Sequence, residues 1–125
     1  AAALLDMEFH NLTTTEGLDV VAFEKQLMDK LGLIPQIAPR YRATYFRHIM
    51  GGYDAGYYSY LWAERLDADA FEAFKEHGIF DPATAKAFRQ NILEKGGSDD
   101  PMKLYETFRG AQPSLEPLLK NRGLK

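Results

Sequence analysis

Two Asp-Pro dipeptides, Asp81-Pro82 and Asp100-Pro101, set the tightest limits on what this chain can fold into. A proline at the first helical position gives up no hydrogen bond, and the aspartate before it can cap the free amides of the first turn. Apolar residues at helical spacing come after each pair. Ala85, Phe88, Ile92 and Leu93 predict one face of a helix running to about Lys95, and Leu104, Tyr105 and Phe108 a shorter helix ending at Gly110. Asp19 is the matching cap for a helix over about 20–31, where Val20, Phe23, Leu27, Met28 and Leu31 recur and Gly32 offers a left-handed stop. Ala1 to His10 reads as the later turns of another helix, Asn11 to Gly17 as a polar loop, and Ser114 to about Asn121 as a last turn or two. Pro35 and Pro39 keep the stretch around them extended. No segment alternates in the manner of a half-buried strand, and no Asn-Gly or Asp-Gly turn occurs. The expected fold is all-α, a bundle of about five or six helices joined by short loops, with residues 1–125 forming one helical unit.

Charge and cysteine content narrow the function classes. With 15 Lys and Arg against 18 Asp and Glu, the net charge of -3 gives no electrostatic footprint for nucleic acid. The absence of cysteine excludes disulfides and thiolate metal sites. No apolar run reaches the length of a membrane span and no signal-peptide pattern is visible, so no membrane partner is expected and the cytoplasm is the expected compartment.

The densest chemistry lies in Phe46 to Glu64, which holds four of the seven tyrosines, three of the ten glycines and the single tryptophan. Gly51-Gly52 permits backbone shapes closed to other residues and lets another chain come near. The spacing beyond it predicts a helix from about 54 to 75, with Tyr53, Tyr57, Tyr60 and Glu64 along one face and Tyr58, Leu61, Trp62 and Leu66 along an inward one. A neutral phenol is a hydrogen-bond donor at pH 7 and a poor base, so several aimed at one point could steady a developing oxyanion. His48 adds a titratable imidazole just upstream. A tyrosine-rich helical face is by itself more often core or interface than active site, so a free-standing interaction module is the alternative reading.

Other chemistries find no motif. His10, His48 and His77 are far apart, with no pair at the spacing that puts two imidazoles on one helix face, so no metal site is expected within the chain. There is no nucleophile elbow and no phosphate loop.

The segment from Phe46-Arg47-His48 through Gly51-Gly52-Tyr53-Asp54-Ala55-Gly56-Tyr57-Tyr58-Ser59-Tyr60-Leu61-Trp62-Ala63-Glu64 resembles the glycine- and tyrosine-rich segment of the thimet-oligopeptidase family of zinc metallopeptidases. Ala1 to His10 resembles the helix that precedes this segment in the family, and Phe88 to Leu93 with Gly96-Gly97 and Phe108-Arg109-Gly110 with Arg122-Gly123-Leu124 are similar to its bacterial peptidyl-dipeptidase branch, so the likeness covers nearly the whole chain. The resemblance implies hydrolysis of short peptides by a zinc-bound water. In that family an H-E-x-x-H helix and a later glutamate hold the zinc. Neither is present, which implies that zinc is bound by residues outside this chain, that the chain is the C-terminal portion of a catalytic domain, and that it is inactive alone. By position, Tyr53 and Tyr60 match tyrosines whose hydroxyls donate to the oxyanion, and His48 matches a histidine that holds substrate. Gly51 and Gly52 match a mobile loop that accommodates peptides, and Tyr57 is a further expected substrate contact. Tyr58 and Trp62 are expected in the core.

Overall fold

The computed structural model describes residues 1–125, which form six α-helices and no strand. These are α1 (Ala2–His10), α2 (Val20–Lys30), α3 (Ser59–His77), α4 (Pro82–Phe88), α5 (Pro101–Arg109) and α6 (Glu116–Asn121). Packing divides the chain into two units, Ala1–Tyr60 and Leu61–Lys125.

In the first unit, Leu5 of α1 and Leu27 and Met28 of α2 close around Phe46, and Phe9, Leu33, Tyr41, Ile49 and Tyr57 pack against them. The Asp19 side chain accepts from the Val21 and Ala22 amides at 3.0 Å, which fixes the start of α2 where the sequence places it. Beyond α2, Gly32 takes a φ of +69°, the left-handed stop expected there. Glu24 is a buried acid on the apolar side of α2. It accepts from the Arg42 guanidinium and, at 2.7 Å, from the Ala43 amide, tying the proline-bounded stretch back onto the helix. Two short 3-10 turns, Ala43–Tyr45 and Arg47–Met50, then deliver the chain to the glycine pair.

The second unit is built by the later turns of α3 with α4, α5 and α6. Ala68, Ala73, Leu104, Tyr105 and Leu118 are buried, and Phe74, Phe88 and Phe108 meet with ring centroids 5.3 to 6.5 Å apart. Buried Asp69 accepts from the Tyr105 hydroxyl and lies 3.6 Å from Arg109, which also grips Glu76 through two bonds of 2.7 and 2.9 Å. Both Asp-Pro starts are as expected: Asp81 accepts from the Thr84 amide at 2.7 Å and Asp100 from the Lys103 amide at 2.9 Å. Hydrogen bonds from the Thr84 backbone and side chain are the main reason that the Asp81 carboxyl is held below its ordinary pKa. Its contribution is therefore present above the usual carboxylate range and fades as pH falls through its lowered value. Asp81→Ala should lower the melting temperature at pH 7, and thermal scans at falling pH should show the gap to wild type closing.

Three local expectations change. The helix expected from Asp81-Pro82 to about Lys95 winds into a π-helical turn over Arg89–Leu93, where the Glu94 amide reaches back to the Arg89 carbonyl at 2.9 Å. Leu93, at the end of that wider turn, stands 63% exposed, and upstream of it Thr84 rather than Ala85 is the buried residue of α4. The helix expected from 54 to 75 occupies Ser59–His77 instead, which leaves Tyr57 in a turn and Tyr53, too, outside any helix. Finally, Tyr58 and Trp62 are not buried by this chain and stand 53% and 45% exposed in it, with Leu61 at 48%. The buried residues of α3 are Ala68, Asp69 and Ala73, so its first turn is clear of its unit's core, and the Arg65 guanidinium lies 5.1 Å over the Trp62 ring.

Candidate active site

Asp6 organises the glycine- and tyrosine-rich segment. It sits between Leu5 and Met7 on α1, is fully buried, and has no cation of full charge beside it. Its two carboxylate oxygens accept from the amides of Ala55 and Tyr57, each at 2.9 Å, and His10 Nδ1 lies 2.9 Å from one of them. Those amides can point at one carboxylate because Ala55 adopts a φ of +52°, a left-handed shape unusual for alanine. Asp6 thus holds a fold-back of the backbone at Ala55–Tyr57, and α3 starts only at Ser59.

The preceding residues complete the fold-back. The Gly51 and Tyr53 amides both reach the His48 carbonyl, at 3.2 and 3.0 Å, and Gly52 between them has a φ of +101° that favours glycine. The Gly56 and Tyr60 amides bond to the Tyr53 and Tyr57 carbonyls at 3.0 and 3.3 Å. The result is a tight path whose side chains converge although only Tyr60 is helical.

His48, Tyr53, Tyr57 and Tyr60 come together. The His48 ring centroid is 5.1 to 5.9 Å from each of the three tyrosine rings, all met edge-on. Tyr53 and Tyr60 are stacked with centroids 5.2 Å apart, and Tyr57 lies 5.0 Å from Tyr60. Tyr53 and Tyr60 remain 42% and 46% exposed, so both rings are accessible from outside this chain. His48 Nδ1, in contrast, is buried with no hydrogen-bond partner. Gly51 joins Arg47, His48 and Tyr53 in lining an open hollow of about 300 Å3, and Gly52 is next to it in the same turn with free space where a side chain would begin.

The phenols hold their protons firmly. The Tyr53 hydroxyl beside Tyr60, with burial and the neighbouring Tyr57 and Tyr41 adding, pushes the Tyr60 pKa above its ordinary value near 10. Burial, then Tyr41, raises that of Tyr57, against the lowering effect of Arg40. Such groups donate hydrogen bonds through the neutral range and do not serve as bases. Metal ligation is a different matter: no three His, Cys, Asp or Glu side chains converge to hold an ion, so the residues of this chain do not fit a zinc site.

Two members of the cluster escaped the sequence. Tyr41 stacks on buried Phe46 at 5.1 Å and meets His48 and Tyr57 edge-on at 4.9 and 5.7 Å. Nothing local marks it, since it lies upstream of the glycines in a proline-bounded stretch. Asp6 did leave a trace, as a lone acid in an otherwise apolar run from Ala1 to Met7.

Comparison with known proteins bears on this geometry. The model of Peptidase family M3 matches residues 1–124. The chain belongs to that family. This M3 chain is 43% identical over 127 residues, 99% of its length, to the dipeptidyl carboxypeptidase of Escherichia coli, of which it covers 19%. It is 56% identical over 80 residues, 63% of its length, to oligopeptidase A of Haemophilus influenzae, of which the match covers 12%. A probable cytosolic oligopeptidase A of Arabidopsis thaliana is 41% identical over 128 residues, 98% of the chain and 18% of that protein. The M3 chain thus spans about a fifth of the length of the curated relatives it matches along its whole extent. None of its helices is long and apolar enough to cross a membrane.

Proposed function

We propose that this chain is the C-terminal portion of the catalytic domain of a cytoplasmic zinc metallopeptidase that hydrolyses short peptides, as a peptidyl-dipeptidase or oligopeptidase. Tyr53 and Tyr60 donate hydrogen bonds to the scissile carbonyl oxygen as it becomes an oxyanion. His48, Gly51, Gly52 and Tyr57 bind the peptide beside them. Zinc and the general base are supplied by residues outside this chain.

The observation that carries this reading is the convergence of His48, Tyr53, Tyr57 and Tyr60, with the stacked Tyr53 and Tyr60 both exposed on one face. Donors held in place before reaction need no rearrangement when charge develops, which is the property that makes an oxyanion site effective. The raised pKa of Tyr60 keeps that hydroxyl in the donating form. The M3 membership and the peptidase names of the relatives supply the substrate class.

The test uses the full-length protein with unblocked short peptides and mass-spectrometric identification of products. Hydrolysis should stop when a chelator strips the metal and return when zinc is restored. The 125-residue chain by itself should cleave none of these peptides and retain no stoichiometric zinc after dialysis. Tight zinc binding by the isolated chain would overturn the assignment of the ligands to other residues.

A further inference from the structure

Arg47 differs from every other arginine of the chain. Arg42, Arg89, Arg109 and Arg122 form ion pairs with Glu24, Glu94, Glu76 and Glu64. Arg65 donates to the Pro113 carbonyl, and Arg40 lies 5.4 Å over the Tyr41 ring. Arg47 alone has neither an acid nor an aromatic face to answer its charge. It is exposed, and it lines the hollow of about 300 Å3 that His48, Gly51 and Tyr53 also line. That hollow is the side of the cluster to which Tyr53 belongs, so an anion held there would be a neighbour of the candidate oxyanion donors.

The chemistry of the hollow selects the anion. A guanidinium presents a planar fork of N–H donors that matches a carboxylate in two parallel bonds. Gly51 leaves the backbone bare on this wall: a side chain there would meet only the Arg47 carbonyl, at 3.7 Å, so a peptide terminus can approach closely. No acid of this chain competes for the charge of Arg47.

We infer that Arg47 receives a carboxylate of the peptide substrate in this hollow and so sets which peptides are cut. This rests on the peptidase reading above. The carboxylate has two sources, the peptide C-terminus or an acidic side chain, and both present the same group to the guanidinium. Arg47 takes no part in bond cleavage; it holds one end of the substrate while the tyrosine hydroxyls meet the scissile carbonyl.

The experiment compares the full-length protein with its Arg47→Gln and Arg47→Lys variants on one short peptide carrying a glutamate. Three forms of the peptide are used: unmodified, amidated at the C-terminus, and with glutamate replaced by glutamine. Wild type should cleave the unmodified form about 10- to 100-fold more efficiently than whichever form lacks the recognised carboxylate, and that form identifies the source. Arg47→Gln should remove the preference by raising KM for the unmodified form, with the carboxylate-lacking form cut as before. Arg47→Lys should restore part of the preference. Because the carboxylate-lacking form reports general damage, a misfolded variant loses both activities together and is distinguished from a loss of recognition. Equal slowing of all three forms by Arg47→Gln with folding intact, or a preference that survives it, overturns the inference and leaves the peptidase reading standing. Wild-type protein that cleaves none of the peptides overturns the peptidase reading and this inference with it.

Discussion

Tyr60→Phe in the full-length protein is expected to lower kcat about 100- to 1000-fold, the usual loss when one oxyanion donor is removed. The substitution deletes one hydroxyl and keeps the ring, so the stack on Tyr53 at 5.2 Å and the edge contact with His48 at 5.9 Å are retained. Ground-state binding therefore changes little, and the loss falls on kcat more than on KM, as expected for an interaction made chiefly in the transition state. Zinc content by elemental analysis and far-UV circular dichroism should match wild type. The proposed role also has a pH signature. Tyr60 donates only while protonated, and its pKa is raised by Tyr53 and by burial, so its contribution persists through pH 9 and fades only above its ordinary value near 10. A variant keeping more than about a third of wild-type kcat would take Tyr60 out of the mechanism, because no oxyanion donor is worth so little.

Asp6→Ala is expected to loosen the whole site without touching any residue in it. The substitution leaves the part-buried Ala55 and Tyr57 amides, each bonded to the carboxylate at 2.9 Å, without that acceptor. At roughly 1 to 3 kcal/mol for each orphaned buried donor, the cost is about 3 kcal/mol. Ala55, held by that bond at a left-handed φ of +52° against its local preference, is then free to relax out of the turn. The effect is best read locally, as amide hydrogen exchange of the segment covering 53–60, which should accelerate by about two orders of magnitude. Peptide hydrolysis should fall in parallel as the tyrosines lose their common orientation. Asp6→Asn keeps one acceptor oxygen and should lie between the two. Unchanged exchange in Asp6→Ala would show that the fold-back stands without the carboxylate.

These two expectations separate what is local in the chain from what is not. The starts of α2, α4 and α5 were legible because Asp19, Asp81 and Asp100 bond to amides two or three residues ahead, an interaction wholly contained in the sequence around them. The stops at Gly32 and Gly110 were legible for the same reason, since their φ values of +69° and +77° answer to a preference of glycine itself. The grouping of His48, Tyr53, Tyr57 and Tyr60 came from a resemblance and from a helical spacing. The spacing was the wrong reason for a set that does meet, since Tyr53 and Tyr57 lie outside the helix and reach Tyr60 through a bend of the backbone.

By itself, then, the sequence determined the all-helical class, the caps that begin three helices and the glycine stops that end two. It also concentrated the tyrosines and glycines in one stretch. Only the tertiary structure decided where α3 begins, which way Tyr58 and Trp62 face, that Tyr41 joins the aromatic cluster, and that Arg47 is left without a partner. The physical reason is the range of the interactions. A cap or a glycine turn acts across a few neighbouring residues. Asp6 acts on amides 49 and 51 positions away, and its pull overrides the helical preference of the residues between Tyr53 and Ser59.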